Sequence, residues 1–518
     1  MPTVPFPAIS RRRFLGLALG GAGAALTGSF GCELAPLSDW PFKLGVASGD
    51  PLWDRVVLWT RLAPDPLATD GQGGMPGQAY PVVWEVAHDE SFRQLARWGV
   101  SEALPEFAHA VHVDVDGLEP DRWYFYRFMA YGYVSDTGCA RTLPARGSAP
   151  TRLRFASASC QNYKEGYYTA YAAMALDSLD LVVFLGDYIY ESGIDGPVRQ
   201  HDAGRIQDLA GYRNRYALYK GDPDLQRAHG RCPWIVTWDD HEVSNNYAGL
   251  QPDESAPDDA PPADLFPMLR AWAYQAWWEH MPVRMPAPIG PSFRIYRRFP
   301  FGDLAQFLVL DTRQYRTNQE CGDALKPRCA GFPSPDGDLL GAAQAQWLAE
   351  NLATSNKRWD VVAQQVVFAP TPIGNQLNFD QWDGYPLARQ RVIDVLRARA
   401  FRKAVVLSGD IHAAGAGWVP GDTAAFTDPV ASEFVATGIS SSGLDPGTAA
   451  LARQVIEALP HIDYFEAVPR GYVRHDVRRD LWRSDFRYVA TTLEPASTSF
   501  TGASFVVERG SPAPQRVF

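Results

Sequence analysis

From about residue 151 onward the chain carries recurrent apolar runs that alternate with longer helical or loop stretches: "RLRFASASC", "LDLVVFLGD", "PWIVTWDD", "AQFLVLDTR", "WDVVAQQVVFAP", "AVVLSGD" and "EFVATGISSS". The runs are nearly continuous in Val, Leu and Phe. That pattern predicts strands covered on both faces, as in layered α/β folds. Between two of them "AAQAQWLAENLA" has a helical period that places Trp347, Leu348 and Leu352 on one face. "QPDESAPDDAPPAD", residues 251–264, is acidic and proline-rich and reads as a surface loop.

Residues 40–147 are patterned differently. Short β-rich segments ("RVVLWTRL", "YPVVWEVAHD", "AVHVDVDGL", "RWYFYRFMA") are punctuated by Gly, Pro and Asp, without a helical period over most of the stretch. The spacing predicts an all-β sandwich of about seven strands, of the immunoglobulin or fibronectin type III kind. In "GLEPDRWYFYR", Leu118, Pro120 and Tyr124 fit a turn followed by a corner tyrosine. "ARGSAPTR" then reads as a linker to a second domain covering residues 151–518.

Residues 1–35 read as an export signal rather than as fold. A basic stretch precedes a weak Gly/Ala-rich apolar region, and Arg11-Arg12 followed by Phe14-Leu15 resembles a twin-arginine signal. The expected partner is the twin-arginine translocase, and the expected destination is periplasmic or extracellular. Cys32 is a weak candidate for lipidation, because Ser29 and Phe30 before it fit a lipobox poorly. No stable membrane anchor is expected, since no other run has the length of a membrane span. The net charge of −11 argues against nucleic acid as a partner. Of the six cysteines, Cys321 and Cys329 bracket a polar loop and are the favoured disulfide; Cys139 and Cys232 are left unassigned.

Chemistry enters at the strand ends. Cys160, Asp187, Asp240, Asp311 and Asp410 each close an apolar run. In layered α/β proteins such ends converge on one crevice. Several carboxylates in a small volume repel one another and raise one another's pKa unless cations are present. Asp in "GD" and in "SGDIH", with His412 two residues after the second, therefore predicts a pair of metal ions.

Taken in order, "FASASC", "FLGDYIYE", "TWDDHEVSNN", "LDTRQYR", "FDQWDGYP" and "LSGDIHAAG", together with the upstream "FKLGVASGDP", resemble the PhoD-like alkaline phosphatase/phosphodiesterase family of the calcineurin-like metallophosphatases. The resemblance spans essentially the whole mature chain. It implies a four-layer metallophosphatase-type α/β sandwich preceded by the small all-β domain. It also implies hydrolysis of phosphomonoesters, phosphodiesters or both by a metal-bound hydroxide, without a phosphoenzyme. A phospholipase D-like diesterase acting on phospholipid or cell-wall polymers is the rival within hydrolases. An inactive exported binding protein is the rival of another class.

Carried over residue by residue, the resemblance implies that Asp187 bridges two metals and that Tyr190, of the "GDxxY" pattern, binds Fe(3+) as a phenolate. Tyr188 is then a packing residue. Cys160 stands where most relatives place an Asp or a His pair, and a thiolate beside a phenolate selects a transition metal. Asp240-His241 stands where relatives carry Asn-His: Asp240 is expected on the second metal and His241 over the substrate as acid or hydrogen-bond donor. Asn246, with Asn245 as competitor, and Asp410 complete the second site, and His412 the first. An oxygen-only second site suits Ca(2+), with Mg(2+) or Mn(2+) as alternatives. Asp380 and Asp383, with Tyr385, either bind a further calcium or hold the loop. Arg213 and Arg313 either grip phosphate or form structural ion pairs.

Overall fold

The computed structural model describes residues 35–518 other than 38, 254–260 and 399–403. The export segment and the middle of the acidic loop therefore lie outside the described residues. A ten-stranded sheet faces a seven-stranded sheet. In the first, Arg152–Ala158, Leu181–Phe184 and Trp234–Val236 lie parallel and adjacent. In the second the parallel set is Ala305–Val309, Trp359–Ala363, Ala404–Ser408 and Thr427–Val435.

The two-fold period of a strand explains why these runs are apolar throughout. Leu181 and Val183 enter the core between the sheets, while Val182 and Phe184 enter a second core with Tyr212, Tyr216 and Trp277 of the helices Leu209–Lys220 and Phe266–His280. Val361 and Val405 face the inter-sheet core. Val362 and Val406 turn the other way, into a core with Leu348 of the helix Gly341–Ala353 and Ile393 of the helix Pro386–Arg397. Helix, sheet, sheet, helix make the expected layers. Full burial of each such side chain stabilises the fold by about 1.5–3 kcal/mol, and the polar residues that do stand in these strands are paired, as Gln306 is with Asp360 at 2.8 Å. Trp347, Leu348 and Leu352 share a face as predicted, with Leu348 and Leu352 buried and Trp347 packed at the margin.

The all-β unit has its own core, in which Val56, Val82, Val111, Tyr126 and Phe128 meet. One of its sheets contains Tyr80–Ala87, Leu95–Ala103, Trp123–Ala130, Tyr133–Val134 and Gly138–Arg141. The other, Val46–Gly49, Val56–Arg61 and Ala110–Val115, continues the ten-stranded sheet, with Gly49 beside Trp234. The sandwich is thus fused to the larger unit through a shared sheet, a continuity that leaves no mark in the local pattern. The Tyr124 hydroxyl accepts a hydrogen bond from the Glu119 amide at 2.8 Å, as a corner tyrosine does.

Cys321 and Cys329 are disulfide-bonded, with Cα atoms 5.5 Å apart; Cys139 and Cys232 are free thiols. No helix among the described residues is long and apolar enough to cross a membrane. The two large sheets meet at their carboxyl ends, where Ser159 pairs in parallel with Gly438 and accepts from the Ile439 amide at 3.0 Å. This junction brings Cys160 of one sheet under the 438–441 turn of the other.

Candidate metal centre

The turns that follow these strands are strained. Cys160, Asp187, Asn246, Asp410 and His412 all have positive φ, at 57°, 59°, 47°, 68° and 54°. Left-handed backbone costs a non-glycine residue about 1–2 kcal/mol, and such residues persist only where the surroundings over-determine them. At Asp187 the buried Glu242 does so. Its carboxylate accepts from the amides of Asp187 at 3.1 Å, Tyr188 at 2.6 Å and Asp239 at 2.8 Å, tying two strand-end turns together. Gly186, at φ 114°, lets them approach: a Cβ there would stand 2.5 Å from the Asp239 backbone nitrogen.

The side chains form three overlapping groups. Donor atoms of Cys160, Asp187 and His412 lie within 4.8 Å of one another, as do those of Asp187, Asp240 and His241, and those of Asp239, Asp240 and Asp410. Asp187 belongs to the first two groups and Asp240 to the last two. The Tyr190 hydroxyl is 3.0 Å from Asp187 Oδ2, 2.9 Å from His412 Nε2 and 2.8 Å from Ser441 Oγ. His412 Nδ1 lies 3.0 Å from the Ser442 carbonyl, which can only accept. Nδ1 therefore carries the proton, and Nε2 presents its lone pair to the cluster.

The cluster carries more negative charge than its own cations satisfy. Asp187 Oδ1 and Asp240 Oδ1 are buried without a hydrogen bond. Burial first, and then Asp240, push Asp187 well above the usual carboxylate range. Burial, with Asp380 and Asp240, pushes Asp410 up to about 6 against the pull of Arg313. Burial and the Asp187 charge raise the Cys160 thiol and the Tyr190 phenol well above their ordinary values. Unpartnered carboxylate oxygens beside a thiol, a phenol and an imidazole lone pair fit cations; they do not fit a site that stays metal-free.

His241 packs at a tilt against Tyr190, with ring centroids 4.1 Å apart, and places Nδ1 2.8 Å from Glu191 Oε2. Burial lowers its pKa, but Asp240, Glu191 and Asp187 outweigh burial and raise it well above the ordinary histidine value. Asn246 lies against the second group: its amide donates to Asp240 Oδ2 at 2.7 Å, and its Nδ2 to Asp323 Oδ2 at 2.6 Å. Asn245 turns its Nδ2 to Asp253 instead, at 3.0 Å. Tyr188 is directed away from the cluster, its hydroxyl 2.8 Å from His229 Nε2.

Asp311 as a member of the cluster and Arg213 and Arg313 as phosphate grips require correction, whereas Asp383 takes the loop-holding one of its two expected roles. Asp311 closes a strand but does not join the cluster; its carboxylate accepts from the amides of Arg313 and Gln314 and from Gln314 Nε2, folding its own turn. Arg213 does not reach the cluster either. Its guanidinium is bonded to buried Glu279 at 2.6 and 2.7 Å and to the Glu106 carbonyl at 2.9 Å, between the helix Leu209–Lys220 and the all-β unit. Arg313 is in the cluster but fully buried. It bonds Asp239, Asp380 at 2.6 Å and Asp410 at 3.0 Å, and lies 3.5 Å from Asp240. That geometry holds carboxylates rather than gripping a substrate. Asp383 is bonded to Arg389 at 2.6 Å and to the Thr371 amide at 2.9 Å, so it holds the loop.

The sequence reading missed Asp239, Glu191, Glu242, Ser441 and Arg470. The first three stand inside the quoted "DYIYE" and "WDDHE" motifs, where adjacency to a ligand was the available signal. Arg470 donates to the carbonyls of His412 at 2.7 Å and Ser441 at 2.9 Å, and no local pattern marks it.

A layered α/β fold whose strand ends gather thiol, phenol, imidazole and crowded carboxylates in one buried space defines a metallohydrolase. Residues 155–486 match the family described as PhoD-like phosphatase, and residues 31–144 match the PhoD-like phosphatase N-terminal domain. The chain is 46% identical to alkaline phosphatase D of Bacillus subtilis (strain 168), over 96% of this chain and 88% of that protein. It also matches a solved structure titled "Structure of PhoD", with a TM-score of 0.88 and 45% identity over 93% of each chain. The protein belongs to the PhoD-like phosphatase family and is a phosphoric ester hydrolase.

Proposed function

We infer that the enzyme hydrolyses phosphomonoesters, phosphodiesters or both at two metal ions that share Asp187. The observation that carries this reading is the overlap of the two donor groups on that one carboxylate, with Asp187 Oδ1 left without a hydrogen bond. Cys160, Asp187, Tyr190 and His412 would hold Fe(3+), since a thiolate, a phenolate and an imidazole suit a transition metal. Asp187, Asp240, Asn246 and Asp410 would hold Ca(2+), with Mg(2+) or Mn(2+) as the alternative, because these side chains offer hard oxygen donors. Bound cations supply charge neutralisation for a phosphate and acidify water.

The chain's own groups do the rest. Glu191 fixes the His241 ring through Nδ1, and its carboxylate favours the protonated imidazole. Its Nε2 is then the proton source for the leaving-group oxygen. Arg313 and Arg316 anchor Asp380, at 2.6 and 2.8 Å, and Arg313 extends to Asp410, so the second set of carboxylates is held in place without a substrate. Residues 40–147 form the all-β domain and 151–518 the catalytic domain. Export by the twin-arginine route is supported by Arg11-Arg12 with Phe14-Leu15, and a disulfide at Cys321–Cys329 suits an oxidising compartment.

The test pairs metal analysis of the purified enzyme with parallel assays on nitrophenyl phosphate and bis(nitrophenyl) phosphate. Turnover of at least one ester together with bound iron and a divalent ion is expected. Turnover by enzyme free of both would overturn the metal assignment.

A further inference from the structure

Cys160, Tyr190 and His412 come from three separate turns, yet all three meet two consecutive residues of the facing sheet's 438–442 turn. The Cys160 carbonyl accepts from Ser441 Oγ at 2.8 Å and from the Ser440 and Ser441 amides at 3.4 and 3.3 Å. The same Ser441 Oγ stands 2.8 Å from the Tyr190 hydroxyl and accepts from the Asn162 amide at 3.1 Å. The next carbonyl, that of Ser442, takes Nδ1 of His412 at 3.0 Å and so fixes which nitrogen faces the cluster.

Arg470 braces this turn. It is 6% exposed, and its hydrogen bonds all go to main-chain carbonyls. Nη1 donates to His412 at 2.7 Å and to Ser441 at 2.9 Å, and Nη2 donates to Ala467 at 2.7 Å. A planar fork can span carbonyls from two turns in this way; the point charge of a lysine cannot reproduce it. Gly443 clears the space, because a Cβ there would overlap the Ala467 carbonyl oxygen and the Arg470 guanidinium. Among the described residues, no hydrogen bond of Ser441, Ser442 or Arg470 reaches Asp240, Asn246 or Asp410. The turn therefore serves one side of the centre only.

We propose that Ser441 and Arg470 are positioning residues for the first metal site, setting Cys160, Tyr190 and His412 together and leaving the second site untouched. The proposal rests on the reading of those three residues as iron ligands. A phenolate oxygen can only accept hydrogen bonds. Of the groups within 3.0 Å of the Tyr190 oxygen, Asp187 is a carboxylate and His412 presents a lone pair, so Ser441 is the donor. The Cys160 carbonyl keeps the amides of Ser440 and Ser441 while that hydroxyl serves the phenolate. A donated hydrogen bond lowers the energy of the phenolate lone pair, and so raises the energy of the charge-transfer band.

The test uses the holoenzyme and follows the visible band, with iron and divalent-ion content read by mass spectrometry during competition with a ferric chelator. Ser441→Ala should shift the band to longer wavelength and weaken iron retention about 10- to 100-fold, the usual effect of losing a partner that orients a metal ligand. Divalent-ion content before chelation should match the wild type. Ser441→Thr, which keeps the hydroxyl, should restore both the band and the iron. Arg470→Gln, which cannot bridge the two carbonyls, should weaken iron retention in the same direction; the Ser441 pair decides the matter if that variant does not fold. An iron-loaded wild type whose band and retention are matched by Ser441→Ala would overturn the proposal. So would equal loss of both metals in Ser441→Ala together with a lower melting temperature, which marks a merely structural role. A wild type that binds no iron would overturn the iron assignment itself, and this proposal with it.

Discussion

The hydroxyl of Tyr190 stands 2.9 Å from Nε2 of His412, a residue 222 positions away in the sequence. One comes from the ten-stranded sheet's strand-end turn and the other from the facing sheet's, so the centre exists only when the two sheets meet end to end. Replacement of Tyr190 by Phe keeps the ring contact with His241 but removes the oxygen. Ferric phenolate and thiolate bonds absorb visible light by charge transfer, so the loaded wild type should be coloured. Y190F should bleach or shift the band and lose iron. A colourless, iron-free wild type with full activity would contradict the iron assignment.

Glu191 should act on the chemistry through His241. The histidine works as an acid only while protonated, and the Glu191 carboxylate bonded to its Nδ1 raises its pKa, so activity is lost as pH rises through that pKa. Glu191→Gln removes one of the charges that raise it. The alkaline limb of kcat should therefore move to lower pH, with kcat falling about 10-fold or more and bound metal unchanged. An unmoved limb would remove His241 from the acid role.

Much of this centre was legible because it lies where strand periodicity stops. Asp187 and Asp410 interrupt apolar runs whose alternate residues fill two cores, so a polar residue at that point had to be explained. Asp311 interrupts a run in the same way and only closes its own turn, because Gln314 is near enough to satisfy it. The same limit explains Arg213 and Arg313. A sequence shows that an arginine is present but not which carboxylate it will meet from 66 or 97 residues away. The strand order that joins the all-β unit to the large sheet is likewise a property of pairing, not of composition.

Arg213→Ala should be a stability variant. It leaves Glu279 buried and fully desolvated with only Gln275 Nε2, at 2.9 Å, as a side-chain partner. Breaking a buried pair from one side costs about 3–5 kcal/mol. The melting temperature should fall while kcat of the folded fraction stays within error. A normal melting temperature with a raised KM would return Arg213 to the substrate.

The two ions should be separable. Sulfur and phenolate donors on the first site exchange more slowly than the oxygen-only second set. A calcium-selective chelator such as EGTA should remove activity and leave the colour, and added Ca²⁺ should restore turnover. Joint loss of colour and activity would show that the sites are not separable in this way.

The sharing of Asp187 is tested most directly by Asp187→Asn, assayed together for turnover and for metal content by mass spectrometry. Asp187 alone belongs to both the Cys160–His412 and the Asp240–His241 groups, so its loss should cost activity at least about 100-fold and deplete both ions. Asp240→Asn, which restores the residue expected of relatives at that position, should be milder. Near-normal turnover with both ions retained in Asp187→Asn would contradict the shared-carboxylate centre.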